Sequence, residues 1–136
     1  MFIAHFVLTC AMAGLIWFVQ IIHYPLFRRV PAAGFATYER EHTRRAGLLI
    51  GPLMLGELAT GLALLAVWRP WQLVLATGVL LMIWISTFAI QVPLHGRLRH
   101  GLDSGAVRAL IRTNWIRTVG WTARALLLGS LAGCRT

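Results

Sequence analysis

The stretch WQLVLATGVLLMIWISTFAIQVPL, residues 71–94, carries no charged side chain and is long enough to cross a lipid bilayer as one helix, because a span needs roughly 20 mainly apolar residues. Three other stretches are also predominantly apolar, namely residues 2–27, 46–68 and 113–133. Hydrophobic residues make up 58% of the 136-residue chain. The sequence therefore predicts an all-α integral membrane four-helix bundle that forms a single transmembrane domain over residues 1–136.

Arginine carries all of the fixed positive charge, since the chain has a net charge of +9 and no lysine. Arg69 and Arg135 lie on one predicted side of the membrane, and ten arginines lie at or near the helix ends of the other. These ten are Arg28, Arg29, Arg40, Arg44, Arg45, Arg97, Arg99, Arg108, Arg112 and Arg117. The bias predicts that the arginine-rich side faces the cytoplasm and its anionic headgroups. We therefore expect a bacterial inner-membrane protein with both termini outside, and no nucleic-acid partner.

The connections between the predicted helices show turn and capping signals. Pro25 and Pro93 are predicted to close the first and third helices. Residues 32–45 are predicted to form an interfacial helix that can run on into the second span. Asp103 and Ser104 are positioned to cap a similar extension of the fourth helix through Arg112. The first stretch is too long and aromatic for a signal peptide, and we expect it to be retained.

The sequence aligns with itself when it is shifted by half its length. The matched pairs are Ile22 with Ile90, Pro25 with Pro93, Leu26 with Leu94, Arg29 with Arg97, Arg44 with Arg112 and Gly61 with Gly129. This pattern indicates two parallel helical hairpins related by an axis along the membrane normal. The alternative is that all helix ends in a small bundle attract the same residue types.

Each predicted span also carries one stripe of polar residues. The stripes are Gln20 and His23, then Glu57 and Thr60, then Thr87, Gln91 and His95, and finally Asn114, Arg117, Trp121 and Arg124. Polar groups inside a membrane usually face the bundle interior and carry function. Glu57 is the one acid predicted to be buried, and it matches Arg124 in depth, so we expect an ion pair. The four stripes are predicted to form a polar funnel, which this pair closes midway and which opens toward the arginine-rich side.

The funnel residues suggest two kinds of chemistry. In one, His23 and His95 act with Glu57 as acid/base groups, or His23, His95, His42 or His5 ligate haem or a transition metal. In the other, polar side chains hold an anionic or lipophilic ligand. The predicted ligand-binding residues are Gln20, Tyr24, Gln91, Asn114, Arg117 and Arg124.

Structural explanations remain open for the same residues. The Glu57–Arg124 pair can have a purely structural role, in which it fixes the register between two helices. His23 and His95, like His5 and His100, can be ordinary interfacial residues, and His42 can be a solvated helix residue. The Gly47-x-x-x-Gly51 spacing favours close helix approach rather than a cofactor site. Cys10 and Cys134 are predicted to be unpaired thiols, because their spacing fits neither a metal site nor a redox motif.

The chain resembles a group of small four-helix bacterial membrane proteins that includes the anthrone-oxygenase-like proteins and the small membrane-bound protoporphyrinogen oxidase. The resemblance rests on His5, on AGLIWF at residues 13–18, on YEREHTRR at residues 38–45 and on LHGR at residues 94–97. It implies a haem-binding role for His5. The oxidase family also uses a lysine in its third helix, which this chain lacks. The resemblance therefore implies a shared layout, or redox chemistry on a hydrophobic substrate.

Three functions remain open at the level of sequence. The protein can be an enzyme that acts on a hydrophobic substrate, with or without a cofactor. It can be an accessory subunit or scaffold of a larger membrane complex. It can also be a small transporter, as the internal repeat and the polar funnel suggest.

Overall fold

The computed structural model describes residues 1–133, which are 92% helical and include no strand. They form four helices, α1 (Phe2–Arg29), α2 (Ala32–Val67), α3 (Trp71–Leu98) and α4 (Ser104–Gly133). The all-α prediction is confirmed. Cys10 is a free, exposed thiol, whereas Cys134 and Arg135 lie outside the described residues.

Pro25 and Pro93 do not close their helices, so that prediction is wrong. α1 continues to Arg29 and α3 to Leu98. A proline inside an α-helix clashes with the carbonyl four residues earlier and removes a hydrogen bond. Here a π-helical turn precedes each proline, over Val19–His23 in α1 and Thr87–Gln91 in α3. The wider turn accommodates the proline ring and lets the helix continue.

The two π turns occupy equivalent positions in the two halves of the chain. A shift of half the chain length carries Val19–His23 onto Thr87–Gln91. In each turn the closing backbone N–H, that of Tyr24 or Val92, donates to the carbonyl five residues earlier. The local backbone geometry therefore follows the same repeat as the sequence.

α2 is one continuous helix of 36 residues. At about 1.5 Å per residue it is far longer than a bilayer core of about 30 Å. The predicted interfacial segment is thus the first part of this helix, as the sequence allowed. Pro52 lies inside the helix. Glu41 accepts hydrogen bonds from Arg44 and Arg45 on the exposed surface, with N–O distances of 2.8 and 2.6 Å.

The turn between α3 and α4 is built around Asp103. The Asp103 carboxylate accepts hydrogen bonds from the backbone N–H groups of Gly105 and Ala106, at 2.8 and 3.0 Å, and from the Arg97 guanidinium at 2.6 Å. These donors, Ala106 foremost, hold the pKa of the Asp103 carboxyl below its ordinary value. Gly101 has a φ of 142°, which favours glycine. The predicted cap of α4 is confirmed for Asp103, whereas Ser104 is the first residue of the helix.

The bundle interior contains three apolar layers. The termini-side layer, near Phe2 and the α2–α3 turn, contains Leu64, Leu73, Ala76, Leu128 and Leu131. The middle layer contains Met12, Ile16, Met54, Leu80, Ile83 and Trp121. The arginine-side layer contains Tyr24, Phe27, Phe35, Leu98, Ala106, Val107 and Leu110. α4 contributes residues to all three layers, so it is the central element of the packing.

α3 and α4 approach each other closely at Gly120. A Cβ at this position would lie 2.9 Å from Ile83 Cγ1, which forces a shift. We expect Gly120→Ala to lower the free energy of unfolding in detergent by about 1–3 kcal/mol. Gly78→Ala is the matched control, since a Cβ there meets nothing within 4 Å. Equal stabilities of the two variants would contradict this packing.

Three of the four helices, α1, α2 and α3, are long and apolar enough to cross a membrane. α4 has a similar length but carries four arginines. Its Arg117 and Arg124 side chains are buried inside the bundle. The interior therefore accounts for two of the four arginines of α4, whereas Arg108 and Arg112 are exposed in its first part.

Candidate functional site

The predicted polar residues do not form one funnel but two clusters. The termini-side cluster consists of His5, Thr9, Glu57, Thr60 and Arg124. The arginine-side cluster consists of Gln20, His23, Tyr24, Glu39, His42, Gln91, His95, Asn114 and Arg117. The apolar middle layer lies between them. Glu57 and Arg124 are thus separated from His23 and His95, with which the sequence had grouped them.

The predicted ion pair between Glu57 and Arg124 is confirmed, and both side chains are fully buried. The Thr9 hydroxyl donates to the second Glu57 oxygen. Arg124 also donates to the Ala76 carbonyl and lies 5.3 Å from the ring centroid of Trp121. Both charges are therefore compensated by neighbouring groups, although Arg124 Nε has no hydrogen-bond partner, and this favours a structural role for the pair.

His5 is fully buried, so its predicted interfacial position is wrong. Its Nδ1 lies 2.8 Å from Thr60 Oγ1 and 3.8 Å from Glu57 Oε2. Gly61 provides the space for the ring, because a Cβ there would lie 3.2 Å from His5 Cε1. His5 therefore belongs to the termini-side cluster rather than to the membrane surface.

Three residues of the arginine-side cluster form a hydrogen-bonded relay. The Tyr24 hydroxyl lies 3.0 Å from His95 Nε2, and His95 Nδ1 lies 2.6 Å from Glu39 Oε1. These distances suit a neutral His95 that donates from Nδ1 to the Glu39 carboxylate and accepts from the Tyr24 hydroxyl at Nε2. A carboxylate in this position orients the imidazole and stabilises it when it gains a proton. The geometry therefore places Tyr24, His95 and Glu39 in one continuous hydrogen-bonded chain.

Glu39 was missed by the sequence analysis, which predicted Glu57 as the only buried acid. Glu39 is fully buried, as is Phe35 one helical turn earlier. The i, i+4 spacing of these residues was a usable signal, because it places both on one face of α2. The adjacent charged residues hid it, since they led to the prediction of an interfacial helix without a buried acid.

Gln20 and His23 were expected on one helix face, and the structure separates them. Gln20 faces α4, where its Nε2 donates to the Ile111 carbonyl at 3.0 Å and its Oε1 accepts from Asn114 at 2.9 Å. His23 faces α2 and lies 3.0 Å from His42, between His23 Nε2 and His42 Nδ1. The π turn over Val19–His23 contains more residues per turn than an α-helix. It therefore directs Gln20 and His23 toward different neighbouring helices.

Arg117 is the buried charge without a carboxylate partner. Its side chain is 5% exposed, and none of the ion pairs among residues 1–133 includes it. Its Nη1 lies 3.4 Å from Asn114 Oδ1, it interacts with the Tyr24 hydroxyl, and its Nε has no hydrogen-bond partner. The surrounding protein therefore leaves this guanidinium only partly satisfied.

A cavity of about 290 Å³ lies beside Arg117 and the relay. The polar residues in its wall include Tyr24, His42, Gln91, His95 and Arg117. Gln91 donates to Thr113 Oγ1 at 3.0 Å, while its buried Oε1 has no partner. The cavity thus presents the buried Arg117 and the exposed Arg99 guanidinium groups, three acid/base side chains (Tyr24, His42 and His95) and one free acceptor, in a wall that is otherwise mainly apolar.

Gly47 and Gly51 also line this cavity. A Cβ at either position would meet nothing within 4 Å. The prediction that these glycines permit close helix approach is therefore wrong. Gly56 does make such a contact, since its Cβ would lie 3.3 Å from Leu8. Gly47 and Gly51 instead leave room for the cavity.

The three histidines predicted as metal ligands lie near one another. The ring centroid of His42 is 4.5 Å from that of His23 and 5.5 Å from that of His95. Within residues 1–133, no group of three or more His, Cys, Asp or Glu side chains is arranged to hold a metal ion. The rings hydrogen-bond each other, Tyr24 and Glu39 instead.

Fold and site together define an all-helical protein with three membrane-length apolar helices and a mainly apolar cavity whose wall includes a buried arginine. Comparisons with known protein families, curated proteins and solved structures find no match to this chain.

Proposed function

We propose that this protein crosses the bacterial inner membrane four times, with its arginine-rich side in the cytoplasm and both termini outside. The arginine distribution supports this orientation. A fourth crossing by α4 is supported by its outward face, where Val119 and Leu126 are 60% and 70% exposed. Large apolar groups exposed on a helix surface suit contact with lipid.

We further propose that the cavity binds a hydrophobic molecule with an anionic head group. The observation that carries this proposal is Arg117, a buried cation in the cavity wall without a carboxylate partner. Burying an unpaired charge is unfavourable, so a bound anion would compensate it. The apolar remainder of the wall suits a hydrophobic body.

Proton transfer to or from the bound molecule is the chemistry that the relay supports. Tyr24 and His95 both line the cavity, and Glu39 holds His95 in the required orientation. The nearby Arg117 guanidinium would stabilise negative charge that develops on the ligand or on the Tyr24 oxygen. In redox chemistry on a hydrophobic substrate, these residues would supply or remove the proton.

A cavity-filling variant tests the binding proposal. Gly51→Leu places a side chain in the cavity, and no neighbour lies within 4 Å of the new Cβ. We expect organic extracts of this purified variant to contain about tenfold less of an anionic hydrophobic compound than wild-type extracts, as measured by mass spectrometry, a change that corresponds to about 1.4 kcal/mol.

Gly78→Leu is the matched control, because Gly78 also has open space at Cβ but lies outside the cavity wall. Its extract should equal that of the wild type. If the extracts of all three proteins held the same compounds in the same amounts, the cavity would not be the binding site.

A further inference from the structure

A second cavity, the lateral groove, lies between α1 and the first half of α2. Its volume is about 640 Å³. Leu15, Phe18 and Leu49 are among its apolar lining residues. Phe18 and Leu49 are also 53% and 56% exposed on the outer surface of the bundle. The groove therefore connects the space between α1 and α2 with the surface that faces lipid in the proposed topology.

The groove and the Arg117 cavity share a wall. Val19, His42, Ala46 and Ile50 line both spaces. His42 is the one polar member of this shared set, and its hydrogen bond to His23 holds its ring in place. The two spaces are therefore neighbours separated by a thin layer of side chains, one of which can rotate by giving up a single hydrogen bond.

The sizes and chemistry of the two spaces complement each other. The Arg117 cavity, at about 290 Å³, is at the lower limit of pockets that hold small molecules, about 300 Å³. The Arg117 cavity contains the buried guanidinium but has little room for a long hydrocarbon chain. The groove is larger and mostly apolar. A head group in the first space and a hydrocarbon chain in the second would use both.

We propose that the two spaces form one binding site for an anionic amphiphile with a single flexible hydrocarbon chain, such as a fatty acid. The carboxylate would lie against Arg117, and the chain would pass His42 into the groove. A flexible chain fits because it can bend past the side chains that separate the two spaces, whereas a rigid ring system cannot. This inference rests on the proposed function, since it assumes that Arg117 holds the head group.

Binding of a series of saturated fatty acids, from hexanoate to palmitate, tests the proposal. Affinity for the purified protein is measured by competition with a radiolabelled member of the series. Leu15→Trp fills the groove without touching the Arg117 cavity wall. We expect it to weaken palmitate binding about tenfold and to leave hexanoate binding unchanged. Leu48→Trp, at a 68% exposed position outside both spaces, is the matched control.

Arg117→Gln separates failure of the inference from failure of the proposed function. Loss of both hexanoate and palmitate binding in this variant, with no effect of Leu15→Trp, would overturn the groove while keeping the anion site. Unchanged hexanoate binding in Arg117→Gln would overturn both. Absence of binding by every member of the series to the wild-type protein would also overturn both.

Covalent labelling with a photoreactive palmitate locates the end of the hydrocarbon chain independently. With a diazirine at the end of its chain, it should label peptides that contain Leu15, Phe18 or Leu49. Labelling confined to peptides of α3 and α4 would contradict the groove as the place of the chain.

Discussion

Glu57→Gln or Arg124→Leu alone is expected to lower the free energy of unfolding by about 3–5 kcal/mol, because each leaves a buried charge without its partner. Both side chains are fully buried in the structure and contact each other directly. The measurement is reversible unfolding of the purified protein in mixed micelles. Losses of this size would exceed those of all other substitutions proposed for this chain.

The double variant, Glu57→Gln with Arg124→Leu, should recover much of the lost stability, since no charge is then left unpaired. A double-mutant cycle gives the coupling energy directly. Independent, additive losses would show that the two side chains do not stabilise each other. Recovery would also support the structural interpretation of this pair, which keeps it apart from the chemistry of the cavity.

Arg117→Gln is expected to have the opposite effect on stability. Arg117 is buried on the same helix as Arg124 but has no carboxylate partner. Its replacement removes an uncompensated charge, so the ligand-free protein should melt at a higher temperature, by at least about 3 °C. Added palmitate should raise the melting temperature of the wild type and leave that of the variant unchanged.

Arg124→Gln is the matched control for this experiment, since it makes the same chemical change in the termini-side cluster, outside the cavity. It should melt at a lower temperature than the wild type. A lower melting temperature for Arg117→Gln, with an unchanged response to palmitate, would mean that Arg117 has a structural role. The contrast between the two arginines thus distinguishes a binding charge from a structural one.

The sequence predicted the Glu57–Arg124 contact because depth along a straight helix follows from the rise per residue alone. It also identified half of the buried polar residues, since such residues avoid lipid. Helical periodicity does not give the rotation of one helix relative to its neighbours. The division of the stripes into two clusters therefore emerged only from the packed structure.

The π turns account for much of what the sequence did not predict. They place an extra residue in the turn before Pro25 and Pro93, so the faces predicted from a uniform period fail beyond them. This separates His23 from Gln20 and lets α3 continue to His95 and beyond. The relay depends on that continuation, because His95 reaches Tyr24 and Glu39 from the extended part of α3.

The central claim is that Arg117 holds an anionic amphiphile inside the bundle. Native mass spectrometry of protein released from membranes tests it most directly, since it weighs the intact protein with whatever remains bound. The wild type should carry one anionic hydrophobic ligand per chain, and Arg117→Gln should carry none. A wild-type protein without any adduct, or a variant with the same adduct as the wild type, would contradict the claim.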